Sequence, residues 1–274
     1  MYSKETYLVK KVQCKMLRDQ GYDPYFTSDY TKRLPHDPKD FRDIDAYGNA
    51  ISDSRRIGSN VEEFSSCYPD YGKYIYSMIL YLAQLTENES KKFTPDDNQI
   101  LSNLYISRTT NEICLVYYTK QMKGKNVVTE HITHFLLLCE RLKIRHAIFI
   151  SETAIHSSCN KILQNDLPFF SIQTFQFDEL LINPTKHFLV PRHFKKSKEF
   201  KEKFLADNDI KVKQLPIIRN TDPICKYYDF KIGDLIAIAR IVPYDGAIVK
   251  VFVSYRIVKP LEKDFKKAPN KSKS

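Results

Sequence analysis

Glycine is scarce in this chain. Seven occur in 274 residues: Gly21, Gly48, Gly58, Gly72, Gly124, Gly233 and Gly246. No two stand as Gly-x-Gly, and Gly124-Lys125 has no glycine five residues upstream. Phosphate loops of the Walker and dinucleotide types need glycines to bring backbone N–H groups against phosphate. ATPase, kinase and Rossmann dehydrogenase readings are excluded with them. Paired cysteines are missing too. Cys14, Cys67, Cys114, Cys139, Cys159 and Cys225 never come closer than 20 residues. A structural zinc site draws two ligands from one tight turn, so none is expected. Cys114 and Cys139 lie in apolar segments and read as small core residues, and a reducing compartment suits all six as free thiols. No run of about 18 apolar residues is present, so no membrane span is expected. The opening MYSKETYLVKK lacks the apolar centre of a signal peptide. The expectation is an intracellular protein.

What is there is a globular composition. Hydrophobic residues make up 42% and charged residues 28%, which excludes global disorder. The net charge of +10 is unevenly placed. From Thr185 onward there are 21 Lys+Arg against 10 Asp+Glu, while residues 1–184 carry a net of −1. The basic third either faces nucleic acid or an acidic surface, or is a solvated lysine-rich surface.

The pattern predicts a helix over residues 3–20, capped by Ser3 and ended by Gly21, with Leu8, Val9, Val12, Met16 and Leu17 on one face. From Tyr22 to Tyr74 the periodicity dissolves around Pro24, Pro35, Pro38 and Pro69, which reads as a long irregular segment. Tyr74–Leu85 reads as a buried helix. Thr94-Pro95-Asp96 opens a short helix through Leu104. Then come a strand over Glu112–Thr119, a turn at Lys123-Gly124-Lys125, and a helix from Asn126 to Lys143 with Ile132, Phe135, Leu136, Cys139 and Leu142 as its stripe. A strand over Ala147–Ile150, a helix over Thr153–Gln164 and a strand over Phe169–Phe175 follow. This alternation predicts an α/β unit with a partly parallel sheet.

After Asn183 the pattern changes. Phe177–Ile182 is a helical turn or two. Ser197 caps a helix with Phe200, Phe204 and Leu205 apolar, and Asp222-Pro223 opens another. Leu235–Val242 is a buried strand, Asp245-Gly246 its turn, and Ile248–Val258 the return. In the return strand Val249, Val251, Val253, Tyr255 and Ile257 are expected to face inward, and Lys250, Ser254 and Arg256 outward with Phe252 among them. Lys259–Ser274 is expected to be a disordered lysine-rich tail.

Six pieces in the second part stand in a specific order: Leu180-Leu-Ile-Asn183 followed by His187-Phe-Leu-Val-Pro-Arg-His193; Gln214-Leu-Pro216; Asp222-Pro223; Tyr227-Tyr228; Lys231-Ile-Gly233; and Ser254-Tyr-Arg-Ile-Val258. This succession resembles the fifth subunit shared by eukaryotic nuclear RNA polymerases and its archaeal counterpart. The chain looks like a divergent member. The first helix ending in Gln20-Gly-Tyr22 and the elements from 112 to 164 are similar to that family's jaw domain.

The resemblance implies an α/β jaw domain with a restriction-endonuclease-like core at residues 1–178, a long insertion at about 31–97, a small α+β assembly domain at 179–260 and a tail at 261–274. It implies a non-catalytic subunit of a multisubunit DNA-directed RNA polymerase, with no cofactor. Its partners would be the largest subunit, other polymerase subunits and downstream double-stranded DNA. The assembly residues carried over are His187, Leu189, Val190, Pro191, His193, Gln214, Leu215, Pro216, Asp222, Pro223, Gly233, Tyr255 and Arg256. Such a protein works in a nucleus or, for a large DNA virus, in the virion or a cytoplasmic replication site. The family's jaw turn carries a proline, whereas Ser151-Glu-Thr-Ala-Ile-His-Ser-Ser158 does not. His156, Ser157 and Lys161 remain candidates to reach phosphate. The competing reading is a plain helix start capped by Ser157 or Thr153.

Two alternatives are weighed. One is a free-standing nucleic-acid-binding transcription regulator built on the same domains. The other is an Mg²⁺-dependent nuclease, for which Asp70 and Glu89-Ser-Lys91 imitate the acidic residue and Glu-x-Lys of the restriction-endonuclease site. The helix expected between them keeps the carboxylates apart. His131 and His134 read as solvated beside the helical stripe rather than as half a metal site. His187 and His193 read as structural rings bonding the chain. Lys195, Lys196, Lys198, Lys201 and Lys203 read as a solvated face.

Overall fold

The computed structural model describes residues 2–25, 60–85, 96–119, 127, 129–165, 170–244 and 248–260. Most of the expected insertion lies outside these residues, as do the 261–274 tail, Glu89, Lys91, Pro95, Asn126 and the turns at 123–125 and 245–246. The chain divides into two compact units, Met1–Ile182 and Asn183–Ser274. Both are mixed α/β and each holds one sheet. Among the described residues no helix is long and apolar enough to cross a membrane.

The first unit opens with α1 (Lys4–Asp19). Ser3 accepts a hydrogen bond from the Thr6 N–H at 3.0 Å, and Gly21 turns the chain at a positive φ that favours glycine. Val9, Val12, Met16 and Leu17 are buried as the periodicity requires. Lys10 and Gln13 share that buried face, which hydropathy alone does not reveal. The Lys10 ammonium donates to Gln13 Oε1 at 2.9 Å and to the Leu101 carbonyl at 2.8 Å. It also lies 5.6 and 5.5 Å from the ring centroids of Tyr68 and Tyr118. Two acceptors and two π faces replace water around this charge.

Three expectations need correction here. Residues 22–74 are not irregular throughout: β1 spans Tyr22–Pro24, and helix α2 begins at Val61 and runs to Leu82. Asn60 caps α2 by accepting from the Glu63 N–H at 2.8 Å. Pro69 sits inside this helix, where its ring removes a backbone donor and normally ends or kinks the element. Burial of Phe64, Tyr68, Tyr71, Tyr74, Ile75, Tyr76, Met78 and Ile79 outweighs that cost. Second, the helix expected up to Leu104 is one 3₁₀ turn, Gln99–Leu101, preceded by the Asp96 carboxylate, which accepts from the Asn98 and Gln99 N–H groups. Residues from Asn103 onward turn extended because they pair in a sheet. Third, the helix expected from Thr153 starts only at Ser157, because Ile155 is held in a parallel bridge to Val127.

The sheet of this unit is β1-β2-β3-β4-β5, with β2 Asn103–Ser107, β3 Ile113–Tyr118, β4 His146–Ser151 and β5 Ser171–Gln176. β1, β2 and β3 pair antiparallel, and β3, β4 and β5 pair parallel. The intervening helices are α3 (Thr129–Arg141) and α4 (Ser157–Asn165); α5 (Phe177–Leu180) follows β5. β3 and β4 are buried along nearly their whole length, as crossover-covered strands are. Phe135 of α3 packs on Tyr117 and Phe149 of these strands, with centroids 5.5 and 5.1 Å apart. Cys114 and Cys139 are fully buried; with Cys14, Cys159 and Cys225 they are free thiols. Asp70 lies within helix α2 and on no strand.

The second unit contains β6 (Arg192–Lys195), α6 (Lys198–Asp207), β7 (Ile217–Arg219), α7 (Pro223–Tyr227), β8 (Leu235–Tyr244) and β9 (Ile248–Lys259). Its sheet order is β6-β8-β9-β7. β8 and β9 form one long antiparallel hairpin, from Leu235 opposite Ile257 to Tyr244 opposite Ile248.

Candidate docking surface

Ser197 caps α6 by accepting from the Phe200 N–H at 3.2 Å. Asp222 caps α7 by accepting from the Ile224 N–H at 2.9 Å. On one face, Leu215, Leu235 and Ile257 cluster with Phe204, Leu205, Ile210 and Tyr255. On the other, Ile236, Ile238 and Val258 cluster with Ile218, Cys225 and Phe230. The sheet therefore has a core on each side, but only at the end of the hairpin near Leu235.

Farther along the hairpin both faces lose their cover. Ile241 is 70% exposed, Val251 60% and Val253 52%. Ile241 lies opposite Val251, and Ala239 opposite Val253, so these side chains share one face. Phe194 of β6 pairs with Ala237 and adds its exposed ring to the same face. The expectation that Val251 and Val253 point into the core is thus corrected. Their parity is that of Ile257, but α6 stops short of them. Tyr255, expected to be inward, is half-buried against Phe200 and Phe204, with centroids 5.9 and 4.5 Å apart. Arg256, expected to be outward, is half-buried too and donates from Nη1 to the Ile217 carbonyl at 3.3 Å.

The remaining sequence candidates fall around this hairpin within the same unit. His187, Phe188 and Leu189 are exposed, Phe188 most of all. The Leu189 N–H donates to His187 Nδ1, and His193 Nδ1 donates to the Pro191 carbonyl at 2.7 Å. Burial holds the His193 imidazole below the ordinary histidine range, against the pull of that hydrogen bond. Leu215 is a core residue, whereas Gln214 and Pro216 are exposed. Gln214 accepts from the Lys211 N–H at 2.7 Å. Gly233 adopts a positive φ of 92°, which accounts for glycine at that position. Its carbonyl accepts from Lys201 Nζ at 2.8 Å. The lysine run is accordingly not wholly solvated: Lys195 pairs with Asp234 at 2.8 Å and Lys196 lies over the Phe200 ring. Val190, Pro191 and Asp222 are partly exposed, and Pro223 is exposed.

In the first unit, His156, Ser157 and Lys161 are exposed around the start of α4. The helix cap is His156 rather than Ser157 or Thr153. Its Nδ1 accepts from the Ser158 N–H at 3.4 Å and lies 2.8 Å from Ser158 Oγ. His131 and His134 are half-buried rather than solvated. Among the described residues no group of three or more His, Cys, Asp or Glu is placed to hold a metal ion.

The resemblance places the docking surface on the hairpin Leu235–Val258 and at Gln214-Leu-Pro216, with Arg256 as the contact, but not on the apolar strip of Ile241, Val251 and Val253. The signal for it was present: three β-branched residues continue beyond the reach of any helix with enough length to cover them.

Residues 182–258, which contain this hairpin, match the family model described as RNA polymerase Rpb5, C-terminal domain. Two similar proteins are the DNA-directed RNA polymerases I, II, and III subunit RPABC1 of Caenorhabditis briggsae and of Caenorhabditis elegans. Each is 29% identical over 124 residues, which cover 44% of this chain and 57% of the relative. A third is the DNA-directed RNA polymerase V subunit 5A of Arabidopsis thaliana, 28% identical over 165 residues, or 60% of this chain and 70% of that protein. The chain thus spans little more than half the length of the nematode relatives it matches. The chain is thus similar over part of its length to Rpb5-type subunits of RNA polymerases, and the family match is confined to residues 182–258.

Proposed function

We propose that this protein is a non-catalytic subunit of a multisubunit DNA-directed RNA polymerase and acts in transcription. The second unit is its assembly domain and docks on the largest subunit. The observation that carries this reading is the exposed apolar strip Phe194, Ile241, Val251 and Val253, which lies inside the segment matched to the Rpb5 C-terminal domain. A soluble subunit leaves such a strip uncovered only when a partner covers it, since water contact costs free energy in proportion to apolar area.

The first unit is the jaw, with a restriction-endonuclease-like core, and lies near downstream DNA. His156, Ser157 and Lys161 approach the phosphates there. The absence of the family's proline turn makes this contact one of charge and donors alone. The site of action is a nucleus or, for a large DNA virus, the virion or a cytoplasmic replication site. The two units fold independently, with the junction between residues 178 and 187.

Affinity isolation of the tagged chain with mass spectrometry tests the assembly. The expected result is co-isolation of the catalytic polymerase subunits at fixed stoichiometry. A chain that arrives alone is the free-standing regulator instead.

A further inference from the structure

The opposite face of the hairpin carries different chemistry. In register, Arg240 lies across from Phe252, and Ile238 across from Ser254 in the neighbouring row. One row further, Ile236 lies across from Arg256, and His193 of β6 flanks Ile238. All these side chains share one face. Helix α7 covers the isoleucines but leaves Arg240, Ser254 and the Phe252 ring exposed.

The two guanidiniums flank the His193 row, and both disfavour a charge on that imidazole. Asp222 is the carboxylate that His193 senses, and it is engaged in capping α7. Among the described residues neither Arg240 nor Arg256 is held in an ion pair. Arg256 is anchored through one nitrogen to the Ile217 carbonyl, so its fork is oriented before any partner arrives.

We propose that Arg240 and Arg256 bind carboxylates of an Asp/Glu-rich segment of a partner subunit, which also covers Phe252 beside Arg240. This rests on the assembly reading above and adds a second contact face to the same hairpin. The chemistry favours a polypeptide over nucleic acid. A phosphate backbone is tracked by a continuous cationic groove with stacking platforms along it. Here two arginines stand two rows apart with one ring beside Arg240, and apolar side chains are exposed on both faces. Arginine and aromatic residues at the centre of a patch are the composition of protein interfaces. Arginine forks match carboxylates in a bidentate geometry.

Fluorescence anisotropy on the full chain tests this with labelled decaglutamate and labelled decathymidylate as probes. Decaglutamate is expected to bind, more weakly as salt rises, and to lose about tenfold in affinity in the R240A/R256A chain. The single variant Arg240→Glu, at a side chain that supports no fold contact, is expected to abolish binding. A K211A/K213A chain, with the same loss of net charge on the same unit, should bind as the parent does. Equal loss in both double variants, no decaglutamate binding, or tighter binding of decathymidylate overturns the proposal. If the polymerase co-isolates with the parent chain while decaglutamate ignores the arginines, this proposal falls and the assembly reading stands.

Discussion

The Tyr255 ring lies against that of Phe204 with centroids 4.5 Å apart, and this pair ties the β8–β9 hairpin to helix α6. Phe200 stacks on Phe204 one helical turn earlier, so three rings share one contact. Because Tyr255 is half-buried, its truncation should cost less than a core aromatic. Tyr255→Ala is expected to lower stability by about 2 kcal/mol. Chemical denaturation of the full chain checks this. A change of under about 0.5 kcal/mol would mean that α6 is held by Leu205 and Ile210 alone.

Which features were legible in the sequence follows from the range of the forces involved. Ser197 and Asp222-Pro223 announce their helices because capping is local, and both caps form. The hairpin is legible because alternation is local. Its orientation was only half legible. Alternation gives Val251, Val253, Tyr255 and Ile257 one parity, but it does not say how far along the strand a helix reaches. The start of α2 was hidden because Pro69 is a strong local signal against a helix, whereas the aromatic packing that overrides it is long-range. Lys10 was hidden for the same reason. Its acceptor at Leu101 lies 91 residues away.

Gly72 offers a test in which two effects have opposite signs. It lies inside α2, where alanine is favoured over glycine by about 1 kcal/mol. A Cβ at this position would collide with the Ile100 carbonyl, which is backbone and cannot swing aside. Overpacking of this kind costs about 1–3 kcal/mol, so Gly72→Ala is expected to be net destabilising. A higher melting temperature in the variant would show that the 3₁₀ turn at Gln99–Leu101 yields to it.

Lys10 is expected to be intolerant of shortening. Lys10→Ala deletes the stem that fills space between Tyr68 and Tyr118 and leaves the Leu101 carbonyl short of a donor, while Gln13 Oε1 keeps the Tyr118 hydroxyl at 3.3 Å. The combined loss should be about 3 kcal/mol or more. Lys10→Met restores the volume and leaves only the polar penalty, so it should cost less. Urea midpoints of the two variants decide this. Equal costs would mean that the charge, not the packing, organises the site.

His193 gives the second unit a pH dependence of defined sign. Burial, reinforced by Arg240 and Arg256, holds its folded-state affinity for protons below that of the unfolded chain; Pro191 and Asp222 oppose this incompletely. The unfolded state therefore binds the proton first as pH falls. The stabilisation is full above about pH 6.5 and is lost as pH drops through the lower folded value. Denaturation midpoints should decline from neutral to mildly acidic pH, and His193→Gln should flatten that part of the decline. An unchanged slope would assign the decline to the carboxylates.

The apolar strip is where folding and assembly should separate. Val251 and Val253 are more than half exposed, and neither belongs to a core cluster. Val251→Asp and Val253→Asp should therefore shift the chain's own stability by no more than about 0.5 kcal/mol. At a dry interface the same carboxylates would be buried without partners, which costs several kcal/mol, on the order of 2–5. Each variant should melt with the parent chain yet fail to bring down the catalytic polymerase subunits. Leu235→Asp should do the opposite and unfold the unit, because Leu235 is 1% exposed between Leu215 and Ile257. If the valine variants co-isolate the polymerase as well as the parent does, the strip is not the docking surface. The exposed segment around Phe188 and Leu189 then becomes the place where a partner must sit.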